Sequence, residues 1–83
     1  MDVLHYIKKL PLGYSEGIYN KNRYGIIKEV FNNGKSFKIY GNELQGNDFV
    51  SLNYYITSKR AWLKPCEMES KKVIDFLIKV NII

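Results

Sequence analysis

From Arg23 to Gly41 the chain reads RYGIIKEVF-NNGK-SFKIYG, two strand-like runs joined through Asn33-Gly34. A two-residue type I′ turn needs positive φ at both central positions, and Asn-Gly tolerates that best. With Asn33 and Gly34 as the loop, Asn32 faces Lys35 and the register follows. Val30 pairs with Phe37, Lys28 with Ile39 and Ile26 with Gly41; on the opposite face Glu29 pairs with Lys38 and Ile27 with Tyr40. One face then carries Tyr24, Ile26, Val30, Phe37 and Ile39. The other carries an opposite-charge pair across the strands, worth about a few tenths of a kcal/mol.

Outward from this hairpin the pattern stays antiparallel. Upstream, an earlier strand is expected near Glu16–Tyr19, with a turn through Asn20-Lys21-Asn22. Downstream, GNELQGND is a Gly- and Asn-rich loop, and FVSLNYYIT alternates. Val50, Leu52, Tyr54 and Ile56 take one side of that run; Phe49, Ser51, Asn53, Tyr55 and Thr57 take the other. Ser58-Lys59-Arg60 turns the chain into a short run, AWLK, which Pro65 ends. The tail from Met68 to Val80 reads as a helix with a stripe of Val73, Phe76, Leu77 and Val80 flanked by Ile74. Glu67 and Glu69 at its start and Lys79 near its end suit the helix dipole. At the other end, residues 2–10 form a short amphipathic helix capped by Asp2 and stopped by Pro11. The expected fold is α+β: an antiparallel meander of four to five strands, a carboxyl-terminal helix packed on one face, and a short amino-terminal helix.

Eighty-three residues imply one domain, 1–83, with a small core. One cysteine makes no internal disulfide, which suits a reducing compartment. No apolar run approaches the roughly 20 residues a membrane span needs. At the amino end Asp2 comes before the apolar residues, His5 lies among them and the lysines follow, the reverse of a signal peptide. A soluble cytoplasmic protein with no membrane partner is expected. The net charge of +5 favours an acidic partner, but the lysines are spread along the chain rather than clustered on one element.

Several residues could carry chemistry. Cys66, in KPCEM, would sit at the positive end of the terminal helix if that helix began near Glu67 or Met68, where unpaired backbone N–H groups favour a thiolate. Glu67 and Glu69 oppose this by charge, and the alternative is a small half-buried residue closing a corner. His5 is the single histidine and could serve Cys66 as a base only if the fold joined them. A structural zinc site wants four nitrogen or sulfur ligands, so no metal is expected, and no cofactor is implied. Glu43 and Asp48 lie in the glycine-containing loop, where carboxylates donate protons or bind hydroxyl groups, and where they also do ordinary turn work. Gly46, Asn47 and Asp48 of that loop, with Asn53 and Tyr55 of the following strand, are the binding candidates. Phe49, Tyr54, Tyr55 and Trp62 are candidates for stacking on bases.

Three blocks, LPLGYSEGIYNKNRYG, ELQGNDFVSLNYYI and LKPCEMESKKVIDFL, resemble a family of small bacterial proteins of about this length. The family pattern runs LPxGY…RYG…ELGGNDFVSxNxY…LLKPCEMPxxKVxxFL, and the resemblance extends from Leu10 to Val80. Gln45 stands where the pattern has the first glycine of LGGND, and Glu69 where it has a proline. Members are often labelled peptide methionine sulfoxide reductases. The resemblance therefore implies Cys66 as nucleophile, with Glu43, Asp48 or Glu67 protonating the leaving oxygen. No second cysteine is present, so an outside thiol would have to resolve a sulfenic acid.

The residues alone establish no function. The leading expectation is a non-catalytic binding or interaction module with a protein or peptide partner. The first alternative is the thiol-dependent sulfoxide reductase centred on Cys66. The second, less favoured, is a single-stranded nucleic-acid binder.

Overall fold

A computed structural model describes residues 3–83. The order of elements is α1 (Leu4–Lys9), β1 (Gly13–Tyr19), β2 (Asn22–Phe31), β3 (Ser36–Glu43), β4 (Phe49–Ile56), β5 (Ala61–Pro65), α2 (Ser70–Lys79) and β6 (Asn81–Ile82). The sheet runs β5-β4-β3-β2-β1-β6, every neighbour antiparallel. Strands β1 to β5 form the expected meander. Helix α2 then carries the chain from the β5 edge back to the β1 edge, where β6 pairs Ile82 with Gly17 and Asn81 with Ile18. The sheet thus has six strands rather than four to five. A two-residue strand has too little alternation to leave a mark in sequence; only the return of α2 brings Asn81 and Ile82 beside β1.

The central hairpin has the expected register at every pair, from Val30↔Phe37 through Ile26↔Gly41. Asn33 (φ 56°) and Gly34 (φ 85°) are left-handed as expected, but the paired strands end at Phe31 and Ser36, so the loop is the four residues 32–35 rather than two: the Lys35 N–H donates to the carbonyls of Asn32 and Phe31, and the Gly34 N–H to that of Phe31, each at 3.2 Å. Asn32 is also left-handed, at φ 54°. Glu29 and Lys38 face each other in register without closing an ion pair. The β1–β2 turn is tighter, with Asn20 and Lys21 at positive φ between the paired Tyr19 and Asn22. Strand β1 begins at Gly13, earlier than the Glu16 expected.

Both helices lie on one face of the sheet. Val73, Phe76 and Leu77 of α2 are buried there against Ile26, Ile39, Val50 and Leu52. Each such side chain contributes about 1.5–3 kcal/mol. Phe76 reaches the sheet because β3 has no side chain beneath it: a Cβ on Gly41 would stand 3.1 Å from the ring tip. Val30, placed on the same face by the alternation, is 37% exposed, because the hairpin runs on past the helices. The same face holds a residue that periodicity would not put in a core. Lys28 is only 5% exposed, and its Nζ donates to the carbonyls of Ile7 and Leu10 at 2.8 Å each. It satisfies the carbonyl end of α1, whose Val3, Ile7 and Leu10 join the core. The proposed cap Asp2 lies outside the described residues.

Candidate functional site

The sequence candidates fall into three places. The first is a polar knot at the end of the sheet where β3 turns into β4. Glu43 and Asp48 bracket a four-residue loop, 44–47, closed by the Glu43 N–H donating to the Asp48 carbonyl at 2.9 Å. The Glu43 carboxylate folds back into the loop, accepting the Asp48 N–H at 3.2 Å and lying against Gly46. The Asp48 carboxylate accepts from the Tyr24 hydroxyl at 2.6 Å and from Lys72 of α2 through a short charged contact. Beside it the Tyr19 hydroxyl donates to Asp75 at 2.5 Å, and Asp75 pairs with Lys79 at 3.0 Å. Tyr19, Tyr24 and Phe76 pack edge to face, with ring centres 5.0–5.7 Å apart.

The electrostatics follow from this geometry. The Lys72 ammonium, with the Tyr24 hydroxyl second, holds the Asp48 carboxyl below its ordinary range. The Tyr19 hydroxyl, then Lys79, does the same for Asp75. Burial, reinforced by the bond to Asp75, pushes the Tyr19 phenol up to about 12, and burial with the bond to Asp48 raises Tyr24 as well. Asp48 is thus an ionised acceptor with both oxygens engaged, and it ties α2 to the sheet. Its partner Lys72, eight residues before Val80, had no sequence signal beyond its place on the helix.

The second place is the corner after β5. Cys66 is half-buried; its N–H continues the ladder to the Ser51 carbonyl at 2.9 Å, and Sγ accepts from Asn53 Nδ2 at 3.4 Å. Asn53 alternates with the buried Leu52 and Tyr54, so this contact lies on the sheet face away from the helices. The sheet therefore separates Cys66 from Glu43 and Asp48, and from His5 on α1. Glu67, at φ 63°, turns the chain, and α2 begins only at Ser70, so Cys66 does not stand at the helix terminus. Among the described residues no three His, Cys, Asp or Glu side chains converge to hold a metal ion.

Comparison of the chain with family models, with curated proteins and with solved structures found no match.

The third place is the open face itself. Its residues are those that alternate with the core: Tyr14 on β1, Ile27 on β2, Lys38 and Tyr40 on β3, Phe49, Asn53 and Tyr55 on β4, Trp62 and Lys64 on β5. Tyr40 and Phe49 stack with centres 6.1 Å apart and planes at 28°. Tyr55 and Trp62 pack at 5.5 Å and 35°, with the Arg60 guanidinium 4.8 Å from the Trp62 ring centre. Between these two pairs runs the cross-strand row Lys38, Asn53, Lys64. Of the stacking candidates, Tyr54 is corrected: it is 6% exposed and belongs to the core, as its alternation with Asn53 and Tyr55 dictates. Tyr40 takes its place, and the hairpin register that pairs it with Ile27 was the signal for it. The binding candidates divide accordingly. Gly46, Asn47 and Asp48 belong to the loop end; Asn53 and Tyr55 belong to the open face, with Tyr55 about 20 Å further along β4.

Proposed function

We propose that this chain is a non-catalytic binding module whose open sheet face receives the ligand, and that it is a cytoplasmic member of the small bacterial family its motifs resemble. The observation that carries this reading is the one-sided packing. Both helices occupy one face of the sheet, while the other presents aromatic pairs, tyrosine hydroxyls and lysine side chains to solvent. In a chain this small that is a broad, preformed surface. The loop carboxylates support the same reading in another way: Glu43 and Asp48 are consumed by bonds that hold the β3–β4 connection and α2 in place. No helix among the described residues is long and apolar enough to cross a membrane.

The thiol-enzyme reading keeps one supporting contact, the Asn53 donor at Sγ, and Glu67 as the carboxylate next in sequence to Cys66. One pair of measurements separates the two. Amide shift mapping with pools of acidic peptides, basic peptides and oligonucleotides is expected to move signals of β3, β4 and β5. Reduction of a methionine sulfoxide peptide with dithiothreitol is expected to be equal for the native chain and Cys66→Ser. Shifts confined to the helix side, or sulfoxide reduction lost with the sulfur, would defeat the binding-module reading.

A further inference from the structure

We infer that the occupant of the open face is single-stranded nucleic acid, lying across β3, β4 and β5. This rests on the reading of that face as the binding surface and adds the class of ligand. Charge and ring geometry together select this ligand. On the open side of these three strands the alternation places Lys38, Tyr40, Asn42, Phe49, Ser51, Asn53, Tyr55, Trp62 and Lys64, and no carboxylate. Acidic groups of that face stand on β1 and β2: Glu16 is paired with Arg23 at 3.0 Å and bonded by the Tyr14 hydroxyl, and Glu29, the one carboxylate beside the row, faces Lys38 in register without closing an ion pair. Among the described residues Lys38 and Lys64 close no ion pair, so their ammonium groups are available to phosphates.

The aromatic pairs supply the second half. Tyr40 with Phe49 and Tyr55 with Trp62 stand on opposite sides of the Lys38–Asn53–Lys64 row, with Tyr40 40% and Trp62 37% exposed. From the Tyr40 row to Tyr55 is four residues of strand, or about 13 Å. Bases stacked on both platforms would run their connecting backbone over the basic row. Asn53 offers an amide between them for a base edge, and Arg60 lies over the far ring. An acidic peptide would satisfy the lysines but leave the two platforms without flat partners. Stacking and backbone neutralisation are the two means by which small β domains hold single strands, over about 4–16 nucleotides. The spread of lysines along the chain hid this, because β-sheet pairing gathers residues as distant in sequence as Lys38 and Lys64 onto one row.

The test uses the full chain with fluorescein-labelled octamers of deoxythymidine and of uridine. Saturable binding is expected at low salt, with quenching of Trp62, the single tryptophan. Three phosphate contacts from Lys38, Lys64 and Arg60 predict a salt slope of about −2, so affinity should fall roughly 20-fold between 50 and 200 mM. Tyr40→Ala and Trp62→Ala are each expected to weaken binding roughly tenfold. Lys38→Glu with Lys64→Glu should weaken it further and flatten the salt slope. These side chains are partly exposed, and unchanged circular dichroism will show that the variants fold. Absence of saturable binding at low salt, or binding indifferent to all four substitutions, would overturn the inference. If a polyglutamate peptide shifts the open-face amides while the octamers do not, the ligand class is wrong and the binding face stands. If neither probe moves them, both fall.

Discussion

Glu67, like Lys21 of the β1–β2 turn, holds a left-handed backbone that its side chain disfavours. At φ 63° it occupies a conformation that costs a non-glycine L-residue about 1 kcal/mol, and it does so at the corner between β5 and α2. Its side chain is exposed, so removing it loses little packing. Glu67→Gly is therefore expected to raise stability by about 0.5–1 kcal/mol, read as a higher urea midpoint at unchanged slope. A lower midpoint would mean that the carboxylate does something at this corner that its geometry does not reveal. Lys28 is the opposite case, a charged residue made necessary by its surroundings. Burial, with Lys8 adding repulsion, lowers its pKa, yet its ammonium donates to the Leu10 carbonyl just past α1 and to the Ile7 carbonyl, which also accepts from the Leu10 N–H. Lys28→Met keeps the stem and removes the donor. A loss of about 1.5–3 kcal/mol is expected, together with faster amide exchange across residues 4–10; unchanged exchange there would show that α1 docks without it.

At the scale of elements, α2 is attached by an apolar stripe and by two polar ties, Lys72–Asp48–Tyr24 and Tyr19–Asp75–Lys79. The carboxylates give these ties a pH dependence whose sign is fixed. Asp48 and Asp75 both have folded-state pKa values below the ordinary 3.8. Their stabilisation is fully present above the ordinary value and is lost as pH falls through the lower, folded one. Acid should therefore loosen α2 below about pH 4, while neutral pH leaves it pinned. Asp48→Asn is expected to lower stability at pH 7 and to flatten the acid limb; Asp75 and Glu16, also lowered, account for what slope remains. Thermal melts of both proteins from pH 2 to 7 check this. Equal acid limbs in the two would remove Asp48 from the account.

For the molecule as a whole, two helices cover one face of a six-stranded sheet, and one ring anchors the longer of them. Phe76 is fully buried, touches Tyr19 and Tyr24 edge to face, and fills the space left by Gly41. Phe76→Ala is expected to cost about 3–5 kcal/mol, a large part of the stability of so small a chain, and chemical denaturation would report it. Gly41→Ala should push the ring off the sheet by a few tenths of an ångström from the 3.1 Å approach. Surface changes on the far side, such as Trp62→Ala, leave this core untouched. That independence lets the open face be altered for binding without altering the fold.

The hairpin was legible residue by residue, because Asn33-Gly34 sets the turn and a period of two sets every pair that follows. The terminal helix was legible for a similar reason: Val73, Phe76 and Leu77 repeat at helical spacing, a local signal that tertiary contacts then use. The alternation of β4 likewise told Tyr54 from Tyr55. What no local pattern carried were the meetings of distant residues. Lys28 in the core, Lys72 on Asp48, β6 beside β1, and the sheet standing between Cys66 and Asp48 all depend on how the helices and strands pack together. Local periodicity says which way a side chain points from its own backbone; only the packed fold says what it meets there.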